Sequence, residues 1–268
     1  MKSFSIFLVA SLFFLSHQSF GLGSGWSIVP SKTLSTLYGV SFSDMNTWIA
    51  VGNSGTIVRS SDGGIGWSVV PSPVGGELRG VSFHGKIGVA VGLSGAVVRS
   101  TDGGSNWVLQ SKPTTKNLYA VSMGDSLAVI TGEEGTIFIS TDAGATWLTR
   151  TGGTASILFG VSVRGGVAVG VGGQGAIVFG GAQSWGSTSL GQQLFFYGTS
   201  FASATTGWAV GASASTGSII LKTILSGIVW TQQPAPTTNT LTGVSFASID
   251  TGTAATFAAR ASSVNVAL

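Results

Sequence analysis

The sequence predicts an all-β fold, a six-bladed β-propeller, from three observations. Trp recurs along the 268 residues at a nearly fixed interval, with gaps of 41, 40, 40, 38 and 45 residues between positions 26, 67, 107, 147, 185 and 230. Glycine is abundant at 42 residues and proline scarce at 6, which favours short strands and tight turns. Each interval holds four short strand-like runs. A period of about 40 residues with four strands per repeat is typical of propeller blades.

The strands of each repeat follow in a constant order. An opening strand of the LYGVSF type begins at residues 37, 78, 118, 158, 196 and 241. A second strand ends in a V-G or similar pair, as in WIAVG (48–52), and a third is of the TIVRS type (56–60). The fourth begins at the periodic Trp. These runs are rich in Val, Ile and Phe and bounded by Gly, Ser and Asp, which is typical of strands joined by hairpin turns.

The turn between the third and fourth strands carries the motif S-x-D-x-G-x-x-W, the Asp box, in three consecutive repeats. Its members are Ser60, Asp62, Gly64, Trp67, Ser100, Asp102, Gly104, Trp107, Ser140, Asp142, Gly144 and Trp147. We expect the Asp carboxylate to accept backbone N–H bonds across the turn, Gly to supply a positive φ and Trp to pack between blades. The fourth and fifth turns (178–185 and 223–230) lack the Asp, and we expect them to be looser.

The two ends of the chain have separate predicted roles. Residues 1–21 have the layout of a secretory signal peptide, with Lys2, an apolar core over 4–15, and Ser19 and Gly21 at the cleavage site. The rest, 22–268, is predicted as one propeller domain without a transmembrane span. Residues 26–29 resemble the fourth strand at 67–71 but have no strands before them, so we expect them to complete the blade that opens at 241. A seven-bladed or truncated ring stays an alternative.

The tandem Asp boxes, the G-V-S-F opening and the A-V-G second strand resemble the photosystem II stability and assembly factor family. The resemblance covers about residues 26–246 and is carried by LYGVSF, by WIAVGNSGTIVRSSDGGIGW and by their copies. It implies a propeller that binds a protein partner without catalysis. Members of that family have seven blades, whereas this chain has six opening strands.

Composition excludes several other functions. The chain has 12 basic and 9 acidic residues but no run of Lys or Arg, so nucleic-acid binding is not expected. With no Cys, it can hold neither a disulfide nor a thiolate metal site. The pair Glu133–Glu134 has too few neighbouring oxygen ligands in sequence for a metal site, so we expect no metal and no cofactor.

A secreted carbohydrate-active hydrolase, sialidase-like or glucanase-like, is the alternative function, because Asp boxes also occur in such enzymes. Its acids would have to come from Asp44, Asp125 and Asp250, which we place near the axis with His84 and Arg164. A wide, solvated channel mouth explains this ring equally well. The three tyrosines at the second position of the opening strands are expected to be packing residues. A structural repeat that self-associates is a third class.

The predicted docking surface consists of Arg59, Arg79, Lys86 and Arg99, which recur in the first two blades. Such cations suit an acidic or carboxyl-terminal segment of a protein partner. The alternative is that Arg59 and Arg99 each pair with their own Asp box, at Asp62 or Asp102. The signal-like segment places the protein in an extracellular, periplasmic or thylakoid-lumenal compartment.

Overall fold

The computed structural model describes residues 29–215 and 217–256. This part of the chain forms five antiparallel sheets of four strands and one sheet of two strands. Consecutive strands along the chain are neighbours in every sheet, as in propeller blades. The described residues contain no α-helix, only short 3-10 turns between the second and third strands of blades 1 to 4. The all-β propeller prediction is confirmed.

The blades follow the predicted repeat. Blade 1 comprises β1 (Leu37–Phe42), β2 (Trp48–Gly52), β3 (Ile57–Ser60) and β4 (Ser68–Val70). Blade 2 comprises β5 (Leu78–His84), β6 (Ile87–Gly92), β7 (Val97–Ser100) and β8 (Val108–Leu109). Blade 3 comprises β9 (Leu118–Met123), β10 (Ala128–Gly132), β11 (Thr136–Ser140) and β12 (Leu148–Thr151). Blade 4 comprises β13 (Leu158–Arg164), β14 (Val167–Gly172), β15 (Ala176–Gly180) and β16 (Trp185–Ser189). Blade 5 comprises β17 (Leu194–Phe201), β18 (Gly207–Ser213), β19 (Gly217–Thr223) and β20 (Thr231–Gln233). The described part of blade 6 comprises β21 (Leu241–Phe246) and β22 (Gly252–Thr256).

The opening strands line the axis and contact each other in series around it, from β1 to β21. Because neighbouring strands are antiparallel, the turns after the first and third strands of every blade lie on one face of the ring. We call it the Asp-box face. The 3-10 turns and the connections between blades lie on the opposite face.

The core is divided into layers between consecutive blades. The layer between blades 1 and 2, for example, joins Ile49 and Ile57 of one blade to Leu78, Phe83 and Trp107 of the next. Similar layers join each later pair of blades up to blades 5 and 6. Alternating apolar residues on both faces of every sheet are thus buried, which explains the continuous Val- and Ile-rich runs.

The glycine that ends the second strand of blades 1 to 4 is required by a close backbone contact. The amide of the following residue donates to the carbonyl that precedes the opening strand, as Leu93 N does to Glu77 O at 3.0 Å. A Cβ added to Gly92 would lie 1.9 Å from that same carbonyl oxygen. The A-V-G motif therefore marks a position where only glycine leaves room for the neighbouring strand.

The ends of the ring lie mostly outside the described residues. The predicted signal peptide, the pairing of residues 26–28 with the last blade and the segment 257–268 all fall there. Val29, however, packs against the buried residues Leu37, Ala50, Val58 and Trp67 on the side of blade 1 that faces away from blade 2. Val70, which holds the same place in the fourth strand of blade 1, packs against blade 2 in the same way.

Candidate docking surface

The Asp-box face is built from turns in which the side chains of a Ser and an Asp accept hydrogen bonds from the backbone N–H groups of the turn. In blade 3, Ser140 Oγ donates to Asp142 Oδ1 at 2.7 Å and accepts from Gly144 N at 2.8 Å. Asp142 Oδ1 also accepts from Thr146 N at 2.9 Å. Blades 1 and 2 repeat the pattern, with Gly66 N and Asn106 N as the corresponding donors. Because the carboxylates hold their own turns, they are not available to neutralise other cations fully.

These hydrogen bonds keep the turn carboxylates ionised. The bond from the Thr146 hydroxyl is the largest influence on Asp142 and lowers its pKa to about 2. For Asp102, burial acts most strongly and favours the neutral form, but bonds from Asn106, Ser100 and Ser105 outweigh it and bring its pKa to about 2. The pKa of Asp62 is also lowered, mainly by the bond from the Gly66 amide.

Arg59 and Arg99 reach forward to the next blade and not to their own Asp boxes. Arg59 Nε donates to Gly103 O at 2.9 Å, and Arg99 Nε donates to Ala143 O at 3.0 Å. Both acceptors belong to the Asp-box turn of the following blade. Within residues 29–256, neither guanidinium is within ion-pair distance of a carboxylate. The pairing with Asp62 or Asp102 that we considered as an alternative does not occur there.

Arg150 continues this series where the third strand of blade 3 has Ile139 in place of Arg. Its Nε and Nη2 donate to Ala182 O at 3.2 and 2.8 Å. Ala182 lies in the turn before the fourth strand of blade 4, so the contact links blades 3 and 4 as Arg59 links blades 1 and 2. Sequence analysis missed Arg150 because it lies on the fourth strand, outside the repeated third-strand position.

The structure separates Arg79 from the other three predicted docking residues. Lys86 is exposed in the turn after β5, on the Asp-box face with Arg59 and Arg99. Arg79, in contrast, is the second residue of β5 and lies near the opposite face, five residues or about 17 Å of strand from His84. It pairs with Glu77 and stacks over the Tyr38 ring at 4.3 Å. Of the four predicted docking residues, Arg59, Lys86 and Arg99 therefore share one face and Arg79 does not.

The second position of the opening strand forms a mostly aromatic arc at the opposite end of the channel. Tyr119, Phe159 and Tyr197 follow one another with ring centroids 5.7 and 5.5 Å apart. Tyr119 OH donates to Glu133 Oε1 at 3.1 Å, and burial is the main reason its pKa is raised. These contacts fit the packing role expected for the tyrosines.

Four of the remaining acids, Asp44, Asp125, Glu133 and Glu134, contact a polar or charged neighbour. Asp44 Oδ1 accepts from Asn46 N and Thr47 N, and the first of these bonds chiefly lowers its pKa. Asp125 lies 3.5 Å from His84 Nδ1. Glu133 accepts both a backbone and a side-chain bond from Asn117, whereas Glu134 pairs with Lys116. No cluster of three or more metal-ligating side chains occurs among the residues that the structure describes.

Comparison with known proteins identifies the family. The sequence profile described as photosynthesis system II assembly factor YCF48 matches residues 20–179, which is more than half of the chain. The chain belongs to the YCF48 assembly factor family. The comparison with curated protein sequences found no match. In residues 29–256 the structure of this YCF48 family member has no helix with the length and apolar character needed to cross a bilayer.

Solved structures share the propeller fold with this YCF48 family member at low sequence identity. YCF48 from Cyanidioschyzon merolae aligns with a TM-score of 0.51 and 18% identity, over 84% of this chain and 94% of that chain. A structure titled YCF48 bound to D1 peptide aligns with a TM-score of 0.47 and 19% identity, over 84% and 89%. The GH74 enzyme of Niastella koreensis aligns with a TM-score of 0.63 and 14% identity, over 81% of this chain and 43% of that one.

Proposed function

We propose that this protein is a non-catalytic scaffold of photosystem II assembly that holds a carboxylate-bearing segment of a protein partner on its Asp-box face. Family membership supports the biological setting. The observation that carries the binding site is the pair Arg59 and Arg99, which the next blade positions through Nε without an ion pair in the described residues. The signal-like sequence of residues 1–21 supports an exported, lumenal location.

The pair is preorganised for an anion. Each guanidinium has five N–H donors, and the carbonyl of the next blade occupies the Nε donor while fixing the direction of the group. The entropy of ordering a long side chain is thus largely spent in the free protein, which favours binding. Lys86 adds a mobile cation from the neighbouring turn. A charge-assisted bond is worth about 1.5–3 kcal/mol, or roughly tenfold or more in affinity.

The carboxylates support the absence of catalysis in this proposal. A glycosidase needs two acids that face a common substrate, one of them with a raised pKa. Here the pKa values of Asp44, Asp62, Asp102 and Asp142 are all lowered, each by hydrogen bonds within its own turn. Such acids serve the turns and are poor proton donors.

A peptide-binding measurement tests the proposal. Because a relative has been solved with a D1 peptide, the probe is a labelled peptide from the carboxyl terminus of D1. We expect Arg59→Gln and Arg99→Gln to weaken binding about tenfold each. Arg150→Gln is the matched control, since it removes an equivalent link between blades outside the surface. Equal affinity of all three variants and the wild type would contradict the proposed site.

A glycosidase screen tests the enzymatic alternative. We expect no turnover of aryl glycosides or polysaccharides by the purified protein. If the protein hydrolysed such a substrate, and Asp44→Asn or Asp125→Asn abolished this activity, the scaffold proposal would be wrong and the protein would be a hydrolase.

A further inference from the structure

The Asp-box turn of blade 5 has become apolar at its tip. Thr223 to Trp230 occupies the positions of Ser100 to Trp107, but Ile224, Leu225, Ile228 and Val229 replace the polar residues Thr101, Asp102, Ser105 and Asn106. Their side chains are 66%, 53%, 58% and 55% exposed. Four large apolar side chains on one exposed turn are costly in water, so they indicate a contact surface.

The turn keeps the Ser/Thr and Trp hydrogen bonds of the Asp box but lacks the two backbone bonds that Asp102 accepts in blade 2. Thr223 Oγ1 takes the place of the Ser hydroxyl and accepts from Leu225 N and Gly227 N at 3.2 and 3.3 Å. Trp230 Nε1 donates to Gly227 O at 2.8 Å, as Trp107 does to Gly104 O. The apolar side chains are therefore presented by an ordered turn.

The same part of the chain is free of acids and carries positive charge. Eight of the nine Asp and Glu residues lie within 44–142, and none occurs between 143 and 249. That acid-free stretch contains three cations, Arg150, Arg164 and Lys222. Arg164 is exposed at the end of β13, at the Asp-box face. Lys222 comes directly before the turn, but its ammonium lies 5.0 Å from the centre of the Trp208 ring, so it is held against the blade.

We propose that the turn 224–229 docks on the surface of an anionic lipid bilayer, with the exposed Arg164 facing the headgroups. An apolar tip on the acid-free chain segment 143–249, with the exposed Arg164 on the same face, is complementary to the boundary between acyl chains and anionic headgroups. When this part of the ring, formed by blades 4 and 5, approaches lipid, very few charged groups lose their water. The acid-rich sector of blades 1 to 3, in contrast, carries eight acids together with the docking cations Arg59, Lys86 and Arg99. We therefore expect the lipid surface to contact blades 4 and 5.

The first test replaces the apolar tip by the turn that blade 2 already uses. The variant carries Ile224→Thr, Leu225→Asp, Ile228→Ser and Val229→Asn, and we expect it to fold because the same residues form an ordered turn at 101–106. Co-sedimentation with phosphatidylglycerol vesicles should weaken by at least about a hundredfold. Ile65→Ser is the control, since Ile65 is 77% exposed in the acid-rich sector, and it should bind like the wild type.

Charge is tested separately. Vesicles of phosphatidylcholine alone should bind the wild type more weakly, and Arg164→Gln should weaken binding to phosphatidylglycerol about fivefold, an effect that 0.5 M salt removes. Equal binding of wild type, four-residue variant and Ile65→Ser would overturn the proposal. A dimer that the four-residue variant abolishes, with no difference in vesicle binding, would assign the turn to self-association and also overturn it.

A local probe excludes binding through the apolar segment 4–15 of the full chain. Because the protein has no Cys, Ile228→Cys or Ser105→Cys can be labelled selectively with a polarity-sensitive dye. The label at 228 should shift to the blue on phosphatidylglycerol vesicles, whereas the label at the equivalent position 105 should not. No shift at 228 on vesicles that bind the chain, or an apolar environment at 228 without vesicles, would overturn the proposal.

Discussion

At the scale of residues, the Asp-box carboxylates couple the stability of the turns to pH. The pKa values of Asp102 and Asp142 are about 2, below the ordinary 3.8. A lowered folded-state pKa stabilises the native protein above the unfolded pKa, and this contribution is lost as pH falls through the folded value. We therefore expect the free energy of unfolding in urea to fall steeply between about pH 4 and pH 2.

Asp142→Asn isolates this effect. The variant should lose about 1 kcal/mol of unfolding free energy at pH 7, a modest amount because the carboxylate is exposed to solvent, and its decline toward pH 2 should be shallower than that of the wild type. Asp125→Asn is the control, since that side chain is 92% exposed and holds no turn. Parallel pH profiles for Asp142→Asn and the wild type would contradict the assignment.

Gly92→Ala tests the backbone contact that ends the second strand of blades 1 to 4. The added methyl group would meet Glu77 O at 1.9 Å, so strand β6 or the connection to β5 must shift. We expect a loss of about 2–3 kcal/mol in unfolding free energy. Gly76→Ala, where the methyl group meets no atom within 4 Å, should have little effect. A similar stability of the two variants would show that the contact is not needed.

At the scale of elements, blades are linked by a repeated hydrogen bond near the axis. The Ser of the G-V-S-F motif accepts the amide of the next opening strand, as in Met123 N to Ser82 Oγ at 2.9 Å and Val163 N to Ser122 Oγ at 3.0 Å. The same bond links Phe83 to Ser41, Phe201 to Ser162 and Phe246 to Ser200. The sequence shows this Ser in every repeat but does not reveal that its partner lies in another blade.

Ser122→Ala measures one of these links. Removal of the hydroxyl leaves the partly buried Val163 amide without this acceptor, and we expect a loss of about 1–2 kcal/mol in unfolding free energy. The measurement is thermal or urea unfolding followed by Trp fluorescence. Ser68→Ala is a suitable control, because its hydroxyl bonds only within its own blade. If Ser122→Ala is as stable as the wild type, this hydrogen bond does not contribute to the free energy of unfolding.

How far the sequence predicts the structure depends on the range of the interaction. Strand positions and Asp-box hydrogen bonds are local, so the repeat and its turn residues suffice for them. The docking residues are less well predicted. The repeat pattern grouped Arg79 with Arg59 and Arg99, but the direction of the strand puts Arg79 near the opposite face. The role of Arg150 could not be predicted, since its acceptor, Ala182, lies across the gap between two blades.

At the scale of the whole molecule, we expect stability to depend on closure of the ring by residues 26–29. The contact of Val29 with blade 1 agrees with a closing strand at residues 26–29, although the pairing of that strand lies outside the described residues. We expect deletion of residues 22–30 to abolish the single cooperative thermal transition, because it opens the ring and exposes strand edges. Calorimetry of the deleted and the full-length chain measures this, and an unchanged transition would contradict closure by this strand.

Within residues 29–256, the arginine links and the serine links of blades 1 to 4 each join one blade to the next blade along the chain. Arg59, Arg99 and Arg150 each donate forward to the next blade, and each G-V-S-F serine accepts from it. The described blades are therefore joined head to tail as non-identical units of one chain. A chain that has lost its closing strand presents a head at blade 1 and a tail at blade 6. Such chains should add to one another end to end, and their aggregates should be linear filaments with the six-bladed chain as the repeating unit.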